Sequence, residues 1–191
     1  MAACIDDREL GPTYAYLLGL YLGDGMLSMG RRNVWRLRIS LDATYPQIIA
    51  QAQRAMADVS ERRVGAVARP GCLEVWAYWK HWRCLFPQHG PGHKHERSIL
   101  LEGWQRSVVV THPGEFIAGL IHSDGCRVLN RVTRGVYPRY FFSNLSAEIR
   151  EMFTWACALV GVESRPAGPR NIAVSRRESV AILDRLVGPK S

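Results

Sequence analysis

Two aspartates carry the first chemical signal. Asp24 and Asp124 each stand directly before a glycine, Gly25 and Gly125, and lie 100 residues apart in a chain of 191. A single acidic residue ahead of a helix-ending glycine is ordinarily a solvated surface group, but here the ending is duplicated. Residues 16–25 read YLLGLYLGDG and residues 115–125 read EFIAGLIHSDG; aligning Gly19 with Gly119 also aligns Leu20 with Leu120 and the two Asp-Gly pairs. Two carboxylates held close together repel unless divalent cations sit between them. Hard oxygen ligands in a basic protein, without suitable thiolates, point to Mg²⁺ held together with phosphate. That is the arrangement for in-line hydrolysis of a phosphodiester by metal-activated water.

Two helices must position these carboxylates. Pro12 and Pro113 mark their starts, and Gly25 and Gly125 their ends. Ala15, Gly19 and Gly23 recur every four residues, as do Glu115, Gly119 and Ser123. Residues at that spacing share a helix face, and small ones let two backbones approach. Packed in parallel about a pseudo-twofold axis, the helices would bring Asp24 and Asp124 side by side.

The elements that follow recur in kind. WRLRISL (35–41) alternates with the period of a half-buried strand: Trp35, Leu37, Ile39 and Leu41 on one face, Arg36, Arg38 and Ser40 on the other. PQIIAQAQRAMADV (46–59) has helical spacing, RRVGAVAR (62–69) and LEVWAYW (73–79) are strand-like around Pro70-Gly71, and a short helix spans 80–86. The second half predicts strands near 126–134 and 137–143, a helix over 146–160 with Ser146 as N-cap, strands near 162–166 and 171–175, and a helix over 177–187. The fold expected is α+β, two pseudo-symmetric α-β-β-α-β-β-α repeats spanning 1–90 and 112–191. Residues 91–111 form the linker, helical over 100–110.

Composition excludes several classes. Apolar residues make up 47% of the chain and no uninterrupted apolar run is long enough to cross a bilayer. The opening MAACIDDREL lacks the basic and apolar regions of a secretory signal, so a cytoplasmic location, on the nucleoid when DNA-bound, is expected. Five scattered cysteines without a C-x-x-C pair are expected to be reduced. Cys84, His89, His93 and His95 have a spacing that matches no standard zinc finger. The net charge of +8 comes from 25 basic residues, of which only three are lysines, and favours a polyanionic partner.

GLYLGDG and AGLIHSDG resemble the two LAGLIDADG motifs of monomeric homing endonucleases, with a matching repeat order over nearly the whole chain. The resemblance implies paired motif helices, saddle-shaped antiparallel sheets along the major groove of double-stranded DNA, and cleavage across the minor groove. It implies Asp24 and Asp124 as ligands of Mg²⁺, with Mn²⁺ as a substitute, assisted by the carbonyls of Gly23 and Ser123. A basic residue near each scissile phosphate is also a family feature. Lys94 in GPGHK and Lys190 in GPK follow the last helix of each half and are its candidates. His122 and Ser123 depart from the idealised second motif, and the Gln that organises water in some relatives has no clear counterpart.

If the inner sheet faces pack on helices, Arg36, Arg38 and Ser40 face DNA, with Arg127, Arg131 and Arg139 as counterparts and Arg69, Glu74 and Arg170 on the other hairpins. Arg can read guanine bidentately and Glu can accept from cytosine N4. The expected function is a site-specific, metal-dependent, monomeric double-stranded DNA endonuclease. The alternatives are a non-cleaving DNA-binding regulator resembling sporulation regulators with degenerate LAGLIDADG domains, and an RNA-splicing cofactor.

Overall fold

The computed structural model describes residues 10–132 and 135–188. Helix α1 (Pro12–Asp24) and helix α5 (Pro113–Asp124) both begin on proline, whose missing N–H is no loss in a first turn. Each runs without a linker into a strand, β1 (Gly25–Met29) or β5 (Gly125–Val132). The junction glycines adopt extended backbone, so positive φ is not the reason for them. Space is: a Cβ at Gly25 would lie 2.5 Å from Tyr21 Cα, and one at Gly125 would lie 2.7 Å from Ile121 Cα.

The remaining elements of the first half are β2 (Trp35–Asp42), α2 (Pro46–Ser60), β3 (Val64–Arg69), β4 (Cys72–Trp79) and α3 (Trp82–Leu85). Helix α4 (Gly103–Thr111) precedes the second half, which continues with β6 (Gly135–Ser143), α6 (Ala147–Leu159), β7 (Arg165–Pro166), β8 (Asn171–Val174) and α7 (Arg177–Val187). The sheets have the same order, β1-β2-β4-β3 and β5-β6-β8-β7, and every neighbouring pair is antiparallel. Their registers also correspond, with Gly25 opposite Ile39 and Gly125 opposite Phe142. The two-repeat α+β architecture is therefore present.

Local chemistry accounts for the elements and for the places where they differ from expectation. Ser146 caps α6, its hydroxyl accepting from the Ile149 N–H at 3.4 Å. Strand β7 covers only two of the residues expected at 162–166, because the Val162 N–H turns back to the Cys157 carbonyl at 2.9 Å and the Glu163 N–H goes to Ser179 Oγ at 2.9 Å rather than to the ladder. Helix α3 is a single turn fixed by Trp82, fully buried with its indole N–H on the Ala77 carbonyl at 3.1 Å.

Helices α1 and α5 lie at the centre. Tyr14 to Leu22 of α1 are all buried, the signature of a helix surrounded by protein rather than lying on its surface. Helices α2, α6 and α7 and the inner sheet faces cover the pair. Helix α4 is tied in by Gln105, fully buried, whose amide donates to Tyr14 Oη at 2.9 Å and to the Leu85 carbonyl at 3.1 Å. No described helix is long and apolar enough to cross a membrane.

Candidate active site and nucleic-acid interface

The helix pair meets backbone to backbone. A Cβ at Gly19 would approach the Phe116 carbonyl oxygen to 2.5 Å and Gly119 Cα to 2.9 Å; a Cβ at Gly119 would approach the Tyr16 carbonyl oxygen to 2.2 Å and Gly19 Cα to 3.0 Å. These contacts are reciprocal between equivalent residues of the two halves, as a pseudo-twofold axis between α1 and α5 requires. The expected small-residue face thus holds at Gly19, Gly23 and Gly119, while Glu115 at the far end is exposed.

At the C-terminal end of the pair, a Cβ at Gly23 would lie 2.1 Å from Ser123 Oγ and 2.8 Å from Asp124 Oδ2, so the Asp124 carboxylate crosses onto α1. Asn144, just beyond β6, donates its amide to Asp124 Oδ2 at 2.6 Å. Lys94 reaches in from the segment between the halves. Its ammonium donates to the carbonyls of Leu22 at 3.0 Å, Gly23 at 2.9 Å and also Tyr21, at the negative end of the α1 dipole. Burial lowers the Lys94 pKa to about 8; Asp124, and after it Asp24, pull the other way, so both carboxylates act on one ammonium. A cavity of about 430 Å³ opens here, walled by Lys94, Arg97, Asp124, Ser143, Asn144 and Arg170.

The donors suit a hard divalent cation. Two carboxylates stand at the ends of helices whose terminal carbonyls add negative partial charge, an oxygen-only set of the kind Mg²⁺ and Mn²⁺ take. The Gly23 carbonyl, an expected ligand, also accepts from Lys94. The Ser123 hydroxyl turns back onto the Gly119 and Leu120 carbonyls at 3.1 and 2.9 Å, leaving the ligand role expected of this residue to its backbone. Among the described residues no group of three or more His, Cys, Asp or Glu gathers as a metal site. His89 hydrogen-bonds the Phe86 carbonyl and packs edge-on to Trp35, while His93 and His95 stack on each other by the cavity. Lys190 lies outside the described residues.

No protein-family model and no curated protein matches the chain. Solved structures do. I-DmoI in complex with DNA and Ca superposes with a TM-score of 0.63 at 18% identity, over 96% of this chain and 93% of that one. The N-terminal LAGLIDADG domain of DUF199/WhiA gives 0.58 at 10% identity, over 98% and 86%. The LAGLIDADG meganuclease I-AabMI bound to uncleaved DNA gives 0.53 at 10%, over 91% and 82%. The chain has the two-repeat LAGLIDADG fold.

The remaining candidate residues lie on or beside the two sheets of this LAGLIDADG fold. On the first sheet, register puts Arg36 opposite Tyr78, Arg38 opposite Trp76 and Ser40 opposite Glu74, with Arg69 at the edge opposite Cys72, all on the outer face. Arg38 is engaged there, with Nη1 3.5 Å from Glu74 and Nη2 3.4 Å from Met26 Sδ. Arg36 lies over the Tyr78 ring, 5.9 Å from its centroid.

The second sheet departs from expectation at two arginines. The outer face of β5 carries Cys126, Val128 and Asn130, whereas Arg127 pairs with Tyr140, a core residue, and Arg131 has the same parity. Arg127 forms a bidentate pair with Asp184 of α7 at 2.8 and 3.0 Å, and Tyr140 donates to the same carboxylate at 2.7 Å. This pairing holds Asp184 below its ordinary pKa. Arg127 and Arg131 therefore belong to the helix side of the sheet, not to its outer face. Arg139 does lie on the outer face, 5.7 Å from the Phe141 centroid, and Arg170 lies exposed at the cavity wall.

Nothing local in the sequence marks Asn144 as a partner of Asp124. Trp76 and Tyr78 alternate with Glu74 along 73–79 and so share its face.

Proposed function

We propose that this protein is a site-specific, divalent-metal-dependent endonuclease that acts on double-stranded DNA as a monomer. The observation that supports this reading is the pairing of the motif helices through Gly19 and Gly119, with the Asp124 carboxylate lying against Gly23, the residue before Asp24. Asp24 and Asp124 would hold Mg²⁺ or Mn²⁺, with the carbonyls of Gly23 and Ser123 as further donors. A cation bound there would supply an activated water and neutralise charge at the scissile phosphate. Asn144 keeps Asp124 Oδ2 turned in one direction. Lys94 sets a compact positive charge where negative charge develops on the reacting phosphate, and Lys190 is assigned the same role in the second half.

Binding energy comes from the outer sheet faces and from Arg69 and Arg170, so affinity should fall steeply with salt as neutralised phosphates release counterions. The test is cleavage of a duplex library with Mg²⁺, with Asp24→Asn and Asp124→Asn compared on the selected target. Each substitution should stop double-strand cutting while preserving binding measured in Ca²⁺. Linear product at wild-type level from the double variant would remove both residues from the chemistry.

The likeness to the WhiA LAGLIDADG domain favours a second reading, a protein of this fold that binds DNA without cutting it. Wild-type protein that binds a selected duplex yet leaves it intact in Mg²⁺ and Mn²⁺ would establish that reading.

A further inference from the structure

Five arginines on β2, β5 and β6 are candidates for reading bases, and the structure divides them. Arg127 is bound to Asp184 on the helix side, and Arg131 shares that side. Arg38 is on the outer face but faces a nearly buried carboxylate, Glu74, which offsets its charge and holds its guanidinium along the sheet. Arg36 and Arg139 remain.

These two occupy the same place in the two repeats. Arg36 is three residues before Ile39, the partner of Gly25, and pairs with Ser28, three residues after Gly25. Arg139 is three residues before Phe142, the partner of Gly125, and pairs with Val128, three residues after Gly125. Each is therefore about 10 Å along a central strand from the junction that follows its motif aspartate, at roughly 3.3 Å per residue. Each guanidinium also lies against an aromatic ring, Tyr78 or Phe141, at cation–π distance. A stacked guanidinium is held in one plane, and less rotamer freedom is lost when it forms two parallel hydrogen bonds to a base edge.

We propose that Arg36 and Arg139 each read a guanine, at two base pairs placed symmetrically about the centre of the DNA target, one in each half-site. The proposal rests on the DNA-binding reading above and not on cleavage. Guanine is the base because only its major-groove edge presents the paired O6 and N7 acceptors that match the arginine fork. Symmetry follows from the reciprocal Gly19–Gly119 contact, which relates the two sheets by the same axis that relates the two aspartates.

The experiment is selection of bound duplexes from a randomised library in Ca²⁺, using the full chain and the variants Arg36→Ala, Arg139→Ala and Arg38→Ala, with both strands of the selected sites read. The wild-type motif should contain guanines at equal distances from its centre on opposite strands. Arg36→Ala should lose one and Arg139→Ala the other, each with a roughly ten- to hundredfold drop in discrimination at that position and little change elsewhere. Arg38→Ala should keep both guanines. A uniform loss of affinity with the motif unchanged would make the pair phosphate contacts and overturn the proposal, as would relaxation at unequal distances from the centre or by Arg38→Ala. Wild-type protein that enriches no motif would overturn the DNA-binding reading and the proposal with it. A motif enriched but never cut would overturn cleavage alone, and the same two variants would still decide the proposal.

Discussion

Asn144 donates its amide to Oδ2 of Asp124 at 2.6 Å while its own Oδ1 accepts from the Ser146 N–H at 2.8 Å. The second bond fixes which way the amide points, so the motif carboxylate of the second half is held from the start of α6. In the first half the comparable turn is closed by Asp42, whose Oδ1 accepts from Thr44.

Replacing Asn144 with Ala should therefore slow cutting more than it weakens binding. A hydrogen bond to a charged group contributes about 1.5–3 kcal/mol, which corresponds to a roughly ten- to hundredfold lower single-turnover rate if it acts on the reacting geometry. Target affinity in Ca²⁺ should stay within about twofold, because the sheet faces supply it. Equal loss in both assays would make Asn144 a structural residue only.

The helix contact predicts a large stability effect from one methyl group. Gly119→Ala would press a Cβ against the Tyr16 carbonyl and Gly19 Cα, backbone atoms that cannot rotate away. The halves must part, at a cost of about 3 kcal/mol, the upper end of ordinary overpacking. Gly11→Ala, where a Cβ meets nothing within 4 Å, is the control. Denaturation midpoints of the two variants would check this.

Lys94 gives stability a pH dependence of known sign. An unfolded lysine keeps its proton to its ordinary 10.5, whereas in the fold burial brings Lys94 to about 8. Between those values the unfolded chain binds more protons, so this group makes the protein more stable as pH rises and withholds that gain below pH 8. Burial holds Tyr14 and Tyr16 well above their ordinary 10.0, which favours the unfolded chain once pH passes that value. Denaturation at pH 8 and 9.5 should show a smaller gain for Lys94→Met than for the wild type; identical slopes would refute the shift.

Arg127→Ala separates the two sides of the second sheet. It should cost about 1 kcal/mol of stability or less, as expected for a partly exposed pair, and leave the selected DNA motif unchanged. Loss of a base preference in that variant would return Arg127 to the DNA face.

The sequence alone determined the repeat, the helix starts and ends, and the two aspartates, because these are local patterns: proline and glycine at fixed offsets, and a motif occurring twice. It also determined the inner face of 35–41, where every apolar residue has one parity. The same rule had no purchase on β5, where Val128 on one face and Leu129 on the other make both parities partly apolar. There the side of Arg127 was decided by register against β6 and by Asp184, 57 residues away. Lys94 could be placed near the chemistry only through the family resemblance, since its seat on α1 spans more than 70 residues of sequence. Asn144 had no signal at all. Periodicity reports which residues share a face of one element; which face meets which partner depends on how the elements pack, and that is where the polar contacts of this site are made.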